Sequence, residues 1–366
     1  MRPDARAGIS GGLVAALLLS ALLVASCGGG GSTGMPGCPP TCPTPPPTNT
    51  PIPASVSGKV VQYGTSTAIA GATVKLGALS TVTDASGNYA FASVAILESP
   101  TVLYLQISAS GYATYNTGVQ LVSGANAIRT LALSQPNATE QTWLGQVNTD
   151  RANNGAGMVA FDEVALEAAR AHATDMNAQG YCSHWDTNGY KPYARFAKLG
   201  GVGADSENWA CGYASTAAAE AALMADPGHK ANIIDPTHQW VGLGVASTHY
   251  DQEFVTTDAV FDPTVIGTTV AVGTMGTFLF RSTVGTATSA DLGVEPNATP
   301  LTPSQLNNPP YNGGYSYPAF NPAGGAQFPS DATLFKLTMT FSPAQQYLIA
   351  LLNASGTLTF AWVEAK

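Results

Sequence analysis

The stretch MADPGHKANIID, residues 224–235, places an acid, Asp226, three residues before a histidine, His229, in a chain of which only 10% is charged. Two earlier segments contain the same scarce residue types. YCSHWDTNG includes His184, and DSENWAC includes Glu207. Imidazoles and carboxylates are the groups that bind metals and transfer protons, so these two histidines and two acids are candidates for one polar site.

Residues 138–262, which contain these segments, are predicted to fold as an α+β domain. ATEQTWLGQVNTDRANNG and DEVALEAARAHATDMNAQG have helical composition, and Ala165 and His172 fall on one face of the second helix. Asp162 suits the start of that helix, and Gly180 suits its end. STAAAEAALMAD and GHKANIID predict two further helices, whereas WVGLGVAST and DQEFVTTDAVF predict strands. Helices packed against a sheet follow from this pattern.

Six segments of this domain occur in a recognisable order: QVNTDRANNG, LEAARAHATDM, SHWDTNGYKPYARF, SENWACGY, DPGHKANIID and VGLGVA. They resemble the CAP superfamily, which comprises cysteine-rich secretory proteins, antigen 5, plant pathogenesis-related proteins and bacterial proteins with an SCP-like domain. The resemblance implies a three-layer α-β-α sandwich with a central cleft. It places His184, Glu207 and His229 in that cleft, and Asp226 is the nearest match to the second acid.

The resemblance leaves the chemistry of the cleft open. His184, His229, Glu207 and Asp226 are expected to ligate one divalent cation, and zinc suits this donor set. Two histidines and one acid would complete a three-ligand site, so Glu207 and Asp226 are the candidate catalytic bases of a metal-dependent hydrolase. A hydrogen-bonded network without turnover is the alternative. Family resemblance implies lipid, sterol or glycan ligands, and binding is favoured over hydrolysis. A purely structural surface protein with a vestigial cleft is the third reading.

The first residues predict export. MRPDAR is followed by an apolar run that ends in LVASC, which resembles the lipobox of bacterial lipoproteins, so residues 1–27 are predicted to be a signal peptide with lipidated Cys27 as the membrane anchor. An ordinary signal peptide or a membrane helix is the alternative. Gly28 resembles the outer-membrane sorting signal of cells with two membranes. Residues 28–54 are rich in Gly and Pro and predict a linker.

Outside the cytoplasm, cysteines favour disulfides over free thiols. Four cysteines remain after Cys27. Cys182 and Cys211 are therefore expected to pair, and Cys38 and Cys42 of CPPTC could pair locally. A metal site built of cysteines is not expected, because the chain has no pairs with CxxC spacing.

Two β-rich parts flank the CAP-like domain. SGKVVQY, ATVKLGA, NYAFASV and TVLYLQIS within residues 55–135 predict short strands, and DASGN predicts a turn formed by Asp84. This part resembles the carboxypeptidase regulatory-like, transthyretin-type β-sandwich. Residues 263–366 predict a further β-rich unit with one long loop. The net charge of −9 and the absence of a basic patch predict no nucleic-acid partner.

Overall fold

A computed structural model of the chain describes residues 50–366. The predicted signal peptide, the lipidation of Cys27, pairing of Cys38 with Cys42 and nearly all of the linker lie outside the described residues. Within the described part, no helix has the length and apolar content needed to cross a membrane.

The first unit consists of eight strands in two four-stranded sheets. Its strands are β1 (Ile52–Gln62), β2 (Thr73–Leu76), β3 (Leu79–Val82), β4 (Asn88–Ile96), β5 (Thr101–Ser108), β6 (Tyr115–Leu121), β7 (Gly124–Ala127) and β8 (Leu131–Leu133). One sheet has the order β4-β1-β7, with β8 also paired to β1, and the other has the order β3-β2-β5-β6. The first strand begins at Ile52, inside the predicted linker, because its first residues pair with the end of β4.

The core of this unit is apolar because side chains alternate along its strands. Val60, Val74 and Leu105 are fully buried. Asp84 forms the predicted turn: its carboxylate accepts hydrogen bonds of 2.8 Å from the backbone N–H groups of Ser86 and Asn88. The turn joins β3 to β4 and keeps the Asp84 carboxylate exposed at the surface.

The middle unit combines five helices with one four-stranded sheet. Its elements are α1 (Ala138–Asn153), β9 (Ala160–Phe161), α2 (Glu163–Gln179), α3 (Pro192–Lys198), β10 (Ala204–Cys211), α4 (Thr216–Ala225), α5 (Pro227–Ile233), β11 (Trp240–Ala246) and β12 (His249–Thr256). The sheet has the order β10-β12-β11-β9. Helix α3 was not among the expected helices, although Pro192 stands at the first helical position, where its fixed φ is favourable.

Helix α2 lies directly against β11 because two glycines leave room for its backbone. A Cβ atom at Gly242 would collide with the backbone of Ala165, and one at Gly244 would collide with the backbone of Ala169. This close approach also places α2 against β12, the neighbour of β11, and brings His172 Nε2 to 3.9 Å from Glu207 Oε1 on β10.

The ends of α2 agree with the sequence signals. The Asp162 side chain accepts a 2.8 Å hydrogen bond from Ala165 N, and Gly180 adopts a left-handed φ of 71°. His172 lies on the buried face of the helix, and its Nε2 is 2.8 Å from the carbonyl oxygen of Ser183. Both helix-end predictions and the placement of His172 in the core are confirmed.

The C-terminal unit is β-rich, as expected. Its elements are β13 (Ala259–Phe261), β14 (Thr269–Val270), β15 (Met275–Ser282), β16 (Ser289–Glu295), α6 (Pro303–Leu306), β17 (Phe320–Gly324), β18 (Ala326–Phe328), β19 (Asp331–Thr340), β20 (Gln346–Asn353) and β21 (Gly356–Ala365). The sheets have the orders β13-β15-β19-β18 and β14-β21-β20-β16-β17. DQEFVTTDAVF therefore contains two strands of different sheets, and the unit starts at Ala259 rather than at the expected residue 263.

Candidate functional site

Strand β10 carries the centre of the candidate site. Glu207 points from β10 toward His184, and its Oε1 is 2.8 Å from His184 Nδ1. Its other oxygen, Oε2, accepts a hydrogen bond from Nη2 of Arg195 on helix α3. Arg195 also donates a 2.6 Å hydrogen bond from Nη1 to the carbonyl oxygen of His184. Both carboxylate oxygens of Glu207 are therefore engaged, and three segments are joined through one acid.

His184 is neutral in this environment. Burial and the positive charge of Arg195 lower the pKa of His184 to about 3. A carboxylate only accepts hydrogen bonds, so the proton of the imidazole lies on Nδ1 and the lone pair lies on Nε2. Nε2 is the nitrogen of His184 that remains free to bind a cation or a ligand.

His229 and Asp226 lie at the start of helix α5 and are more exposed. The side chain of His229 is 30% exposed and that of Asp226 is 55% exposed. Asp226 Oδ1 accepts hydrogen bonds from the N–H groups of Gly228 and His229, at 2.9 and 3.0 Å, and lies 3.5 Å from His229 Nδ1. These N–H donors lower the pKa of Asp226, so the acid is a helix cap as well as a candidate ligand.

Amide side chains hold the His229 segment against β10. Asn208 Nδ2 donates to the His229 carbonyl oxygen at 3.0 Å. Asn232 Nδ2 donates to Asn208 Oδ1 at 2.9 Å and lies 3.3 Å from the Glu207 carbonyl oxygen. The two predicted histidines thus flank the same strand, and Asn208 and Asn232 are positioning residues that the predicted site did not include.

The four predicted ligands do not form one compact cluster in residues 50–366. No three of His184, His229, Glu207 and Asp226 have ligand atoms that all lie within 4.8 Å of one another. One group that does so is His172, Glu207 and Asp251, but Glu207 is already bonded to His184 and Arg195. The other contains Cys182 and Cys211, which form the predicted disulfide, together with His249.

Three buried acids beside Glu207 were missed by the sequence analysis. Asp205, Asp251 and Glu253 are at most 4% exposed, and five of their six carboxylate oxygens have no hydrogen-bond partner. Burial raises the pKa of Asp205 and Asp251 well above its usual range and that of Glu253 to about 7. The signal was present in DSE and DQE, because acids two residues apart in a strand share one face.

A tyrosine-rich segment of the C-terminal unit covers His184. The ring of Tyr315 lies 5.0 Å from the His184 ring, centroid to centroid, and Trp209 lies 6.0 Å from it. Tyr317 donates a 2.8 Å hydrogen bond to the carbonyl oxygen of Asp205. His184 is only 7% exposed as a result. No sequence signal connected this segment to the cleft, because it lies more than 100 residues further along the chain.

The fold and the cleft define the class of the middle unit. A family model of the CAP, or cysteine-rich secretory protein, family matches residues 144–258, and one of the carboxypeptidase regulatory-like domain matches residues 55–134. The chain therefore contains a CAP domain preceded by a carboxypeptidase regulatory-like domain, in a multidomain, β-rich arrangement. Both resemblances identified from the sequence are confirmed.

Part of the chain is similar to three bacterial proteins. The protein YkwD of Bacillus subtilis (strain 168), described as uncharacterized, is 28% identical over 129 residues, which cover 34% of this chain and 50% of that protein. An extracellular protein with an SCP domain from Bacillus anthracis str. Ames is 24% identical with a TM-score of 0.31, over 32% of this chain and 40% of that one. An outer surface protein from Borrelia burgdorferi is 16% identical with a TM-score of 0.30, over 32% and 90%. This chain spans half the length of the curated relative.

Proposed function

We propose that the protein is a surface binding protein whose CAP cleft holds a divalent cation at His184 and His229. The hydrogen bond between His184 Nδ1 and Glu207 carries this proposal, because it leaves Nε2 as the free ligand atom. A metal-binding histidine is commonly oriented in this way, by a carboxylate that accepts from its second nitrogen.

The donor set suits zinc. Two imidazoles and a carboxylate oxygen of Asp226 would give three protein ligands, which is the number found in zinc sites with an open position. These ligand atoms do not all lie within 4.8 Å of one another, so the ion would have to draw the more exposed His229 and Asp226 toward His184. Burial lowers the pKa of both His184 and His229, so both are neutral ligands near pH 7. A bound ion would polarise a ligand oxygen as a Lewis acid. Glu207 orients His184 instead of binding the ion, because both its oxygens are engaged.

The same geometry favours binding over hydrolysis. Of the two candidate bases, Glu207 accepts from His184 and Arg195, and Asp226 accepts two backbone hydrogen bonds. Glu207 therefore has no unengaged oxygen for a general base, and the one unengaged oxygen of Asp226, Oδ2, is the atom that this proposal gives to the ion. A metal-dependent hydrolase and a structural protein with a vestigial cleft are the alternative functions. Zinc titration separates the structural protein from the binding function, and an assay of zinc-dependent turnover separates the hydrolase from it.

Aromatic side chains suggest the class of ligand. Trp209 and Tyr315 lie against the His184 ring, and Trp185 packs on Tyr315. Such flat apolar faces suit rings of a lipid, a sterol or a glycan. These ligands and the lipid anchor at Cys27, which would attach the protein to the cell envelope or outer membrane, are parts of the same proposal.

The two sheets of the first unit support a transthyretin-like sandwich. Helix α2 against β11 and helices α1 and α4 around Trp143 support a three-layer α-β-α sandwich.

Zinc titration of the full chain by calorimetry tests the proposal. We expect one ion per chain, and at least about tenfold weaker binding in His184→Ala and in His229→Ala. His249→Ala is the matched control, because His249 lies beside the disulfide, and its affinity should equal that of the parent. Zinc binding that survives both cleft variants would overturn the proposal. The absence of zinc binding to a variant in which Tyr315 no longer covers His184 would overturn it as well. Zinc-dependent turnover of a peptide substrate that is lost in His184→Ala would favour the hydrolase.

A further inference from the structure

The connection between β16 and β17 is much longer than its strands require. The two strands pair directly and antiparallel, with Leu292 opposite Asn321 and Gly293 opposite Phe320. Two to five residues suffice to join strands of this kind. Residues 296–319 instead form a long excursion that contains only the single turn of α6. Loops of this length within compact domains usually serve a function rather than a connection.

This excursion, which we call the tyrosine loop (residues 296–319), contains no Asp, Glu, Lys or Arg. Its first half is held by the CAP domain as a bound peptide would be. Leu301 N donates to the carbonyl oxygen of Thr187 at 2.9 Å. The Asn307 side chain donates to the carbonyl oxygen of Gly180 at 2.9 Å and accepts from Cys182 N at 3.1 Å.

Aromatic contacts continue along the second half of the loop. Tyr311 packs edge to face on Trp185 at 5.4 Å, and its carbonyl oxygen accepts a 2.7 Å hydrogen bond from Ser183 Oγ. Tyr315 then reaches His184, and Tyr317 stacks on Tyr193 of α3 at 5.3 Å. Three tyrosines with the spacing Y-x-x-x-Y-x-Y thus occupy consecutive positions along the cleft.

The acids of the cleft explain why an uncharged occupant fits. Asp205 and Glu253 lie near the Tyr315 and Tyr317 rings. Burial, followed by Tyr317 and these two acids, raises the pKa of Tyr315. A carboxylate of an acidic peptide would have to give up its hydration beside acids that are themselves buried, without gaining a counter-charge. Phenolic hydroxyls and backbone amides, in contrast, satisfy carbonyl oxygens such as that of Asp205 without adding negative charge.

We propose that the CAP cleft is a binding groove for uncharged, tyrosine-bearing peptide segments, and that the tyrosine loop is its tethered occupant. This inference rests on the proposed binding function of the same cleft, but it replaces the lipid, sterol or glycan ligand by a peptide and does not require a cation. The contacts involve backbone groups and tyrosine rings of the loop, so a separate peptide with the same spacing would make them too. The tether gives the loop an effective concentration of order millimolar, so external peptides bind the intact chain weakly.

A loop-shortened variant provides the test. Replacing residues 296–318 by Asn-Gly leaves a five-residue connection from Val294 to Ala319, which strands β16 and β17 accommodate. Glu295 is retained, because its carboxylate binds Lys191 and Tyr193 of the CAP domain, both at 2.5 Å. The probe is a fluorescein-labelled peptide of residues 305–319, and its affinity is measured by fluorescence anisotropy. Circular dichroism and thermal unfolding establish that the variant is folded.

We expect the peptide to bind the shortened variant about tenfold or more tightly than it binds the parent chain. A probe with Tyr315→Ala should bind the shortened variant at least about fivefold more weakly than the unaltered probe. Absence of binding to the folded variant, or equal affinity for both probes, would overturn the inference and identify the loop as a structural strap. If the shortened variant does not fold, the full chain with Tyr315→Ala replaces it. That variant should bind the unaltered probe more tightly than the parent does, and equal binding would overturn the inference.

The proposed cation site and the proposed peptide groove can be tested independently of each other. Zinc titration of the shortened variant distinguishes them, because peptide binding without zinc binding supports the groove and contradicts the cation. Zinc binding without peptide binding gives the reverse result. Carbethoxylation of His184 by diethyl pyrocarbonate, followed by mass spectrometry, measures directly how well Tyr315 shields His184. The rate of His184 modification, relative to that of His249, should rise severalfold in Tyr315→Ala. An unchanged ratio would contradict the shielding of His184 by Tyr315.

Discussion

The first unit and the CAP domain have cores of opposite character. In residues 50–134 every buried polar side chain is neutral, and the core consists of residues such as Val60, Val74 and Leu105. The CAP domain buries Arg195 together with Glu207 and three further acids on one face of its sheet. Since burying charge costs free energy, the first core favours stability, whereas the second gives up stability to form a site.

Removing the positive charge of Arg195 should have the largest effect on the free energy of unfolding. Arg195→Met leaves Glu207 and Glu253 buried without their counter-charge, so we expect the free energy of unfolding to fall by about 3–5 kcal/mol. Urea unfolding measures it. Arg129→Met in the first unit is the matched control, because Arg129 is exposed and bonded to the Tyr115 hydroxyl, and should cost less than about 1 kcal/mol. Equal losses would remove the contrast between the two cores.

A cavity in the first unit should cost less, and its cost should not depend on pH. Leu105 is fully buried between neutral neighbours, so Leu105→Ala is expected to lower the free energy of unfolding by roughly 3 kcal/mol. Urea unfolding at pH 5 and pH 8 should give the same difference from the parent. A loss that changes between these pH values would show that charged groups act on this core as well.

The pH dependence of stability should come from the CAP domain. Burial raises the pKa of Glu163 from 4.5 to about 7, although Ser134 donates to its carboxylate. The folded state therefore holds a proton that the unfolded state releases. Stability is greatest below pH 4.5, declines as the pH rises toward 7, and is constant above that, with roughly 2–3 kcal/mol lost through this group.

Glu163→Gln should flatten that decline by the same amount, because glutamine has no proton to release. The measurement is the free energy of unfolding in urea at pH 5, 6, 7 and 8. Glu98→Gln, in the connection between β4 and β5 of the first unit, is the control and should leave the slope unchanged. A Glu163→Gln chain with the full parental slope would refute the assignment.

The smallest expected effect on stability is that of Asp226, and it distinguishes helix capping from metal binding as the role of this residue. Asparagine caps helices as well as aspartate does, so Asp226→Asn should change the free energy of unfolding by less than about 0.5 kcal/mol. Its zinc affinity should nevertheless fall severalfold, because the amide is a weaker donor. Asp84→Asn, at the turn of the first unit, should alter neither quantity appreciably. Unchanged zinc binding in Asp226→Asn would assign Asp226 to capping alone.

Local signals predicted much of the secondary structure. Asp162 and Gly180 marked the ends of α2, because capping and left-handed backbone depend on residues next to each other in the chain. Helix α3 was missed, since its seven residues show too little periodicity and only Pro192 marks its start. The boundary at residue 263 was late by four residues, because β12 and β13 read as one strand although they pair in different sheets.

For the site, the sequence alone determined which residue types are available and in which segments. His184, Glu207, His229 and Asp226 were identified from their motifs, and Cys182 with Cys211 from the expected compartment. The disulfide is confirmed, and the four site residues stay a prediction drawn from motif and composition, which are properties of short stretches. The alternation of acids in DSE and DQE is also a local property, and it is typical of a strand with one charged face.

Only the tertiary structure decided which of these groups contact one another. In the folded protein both oxygens of Glu207 are bonded to His184 and Arg195, and the Tyr315 ring lies over His184. Each of these contacts joins residues whose distance in space is set by packing of helices and sheets and not by their separation along the chain. A hydrogen bond or a ring contact acts over a few ångströms, so its partners exist only once the folded chain has brought them together.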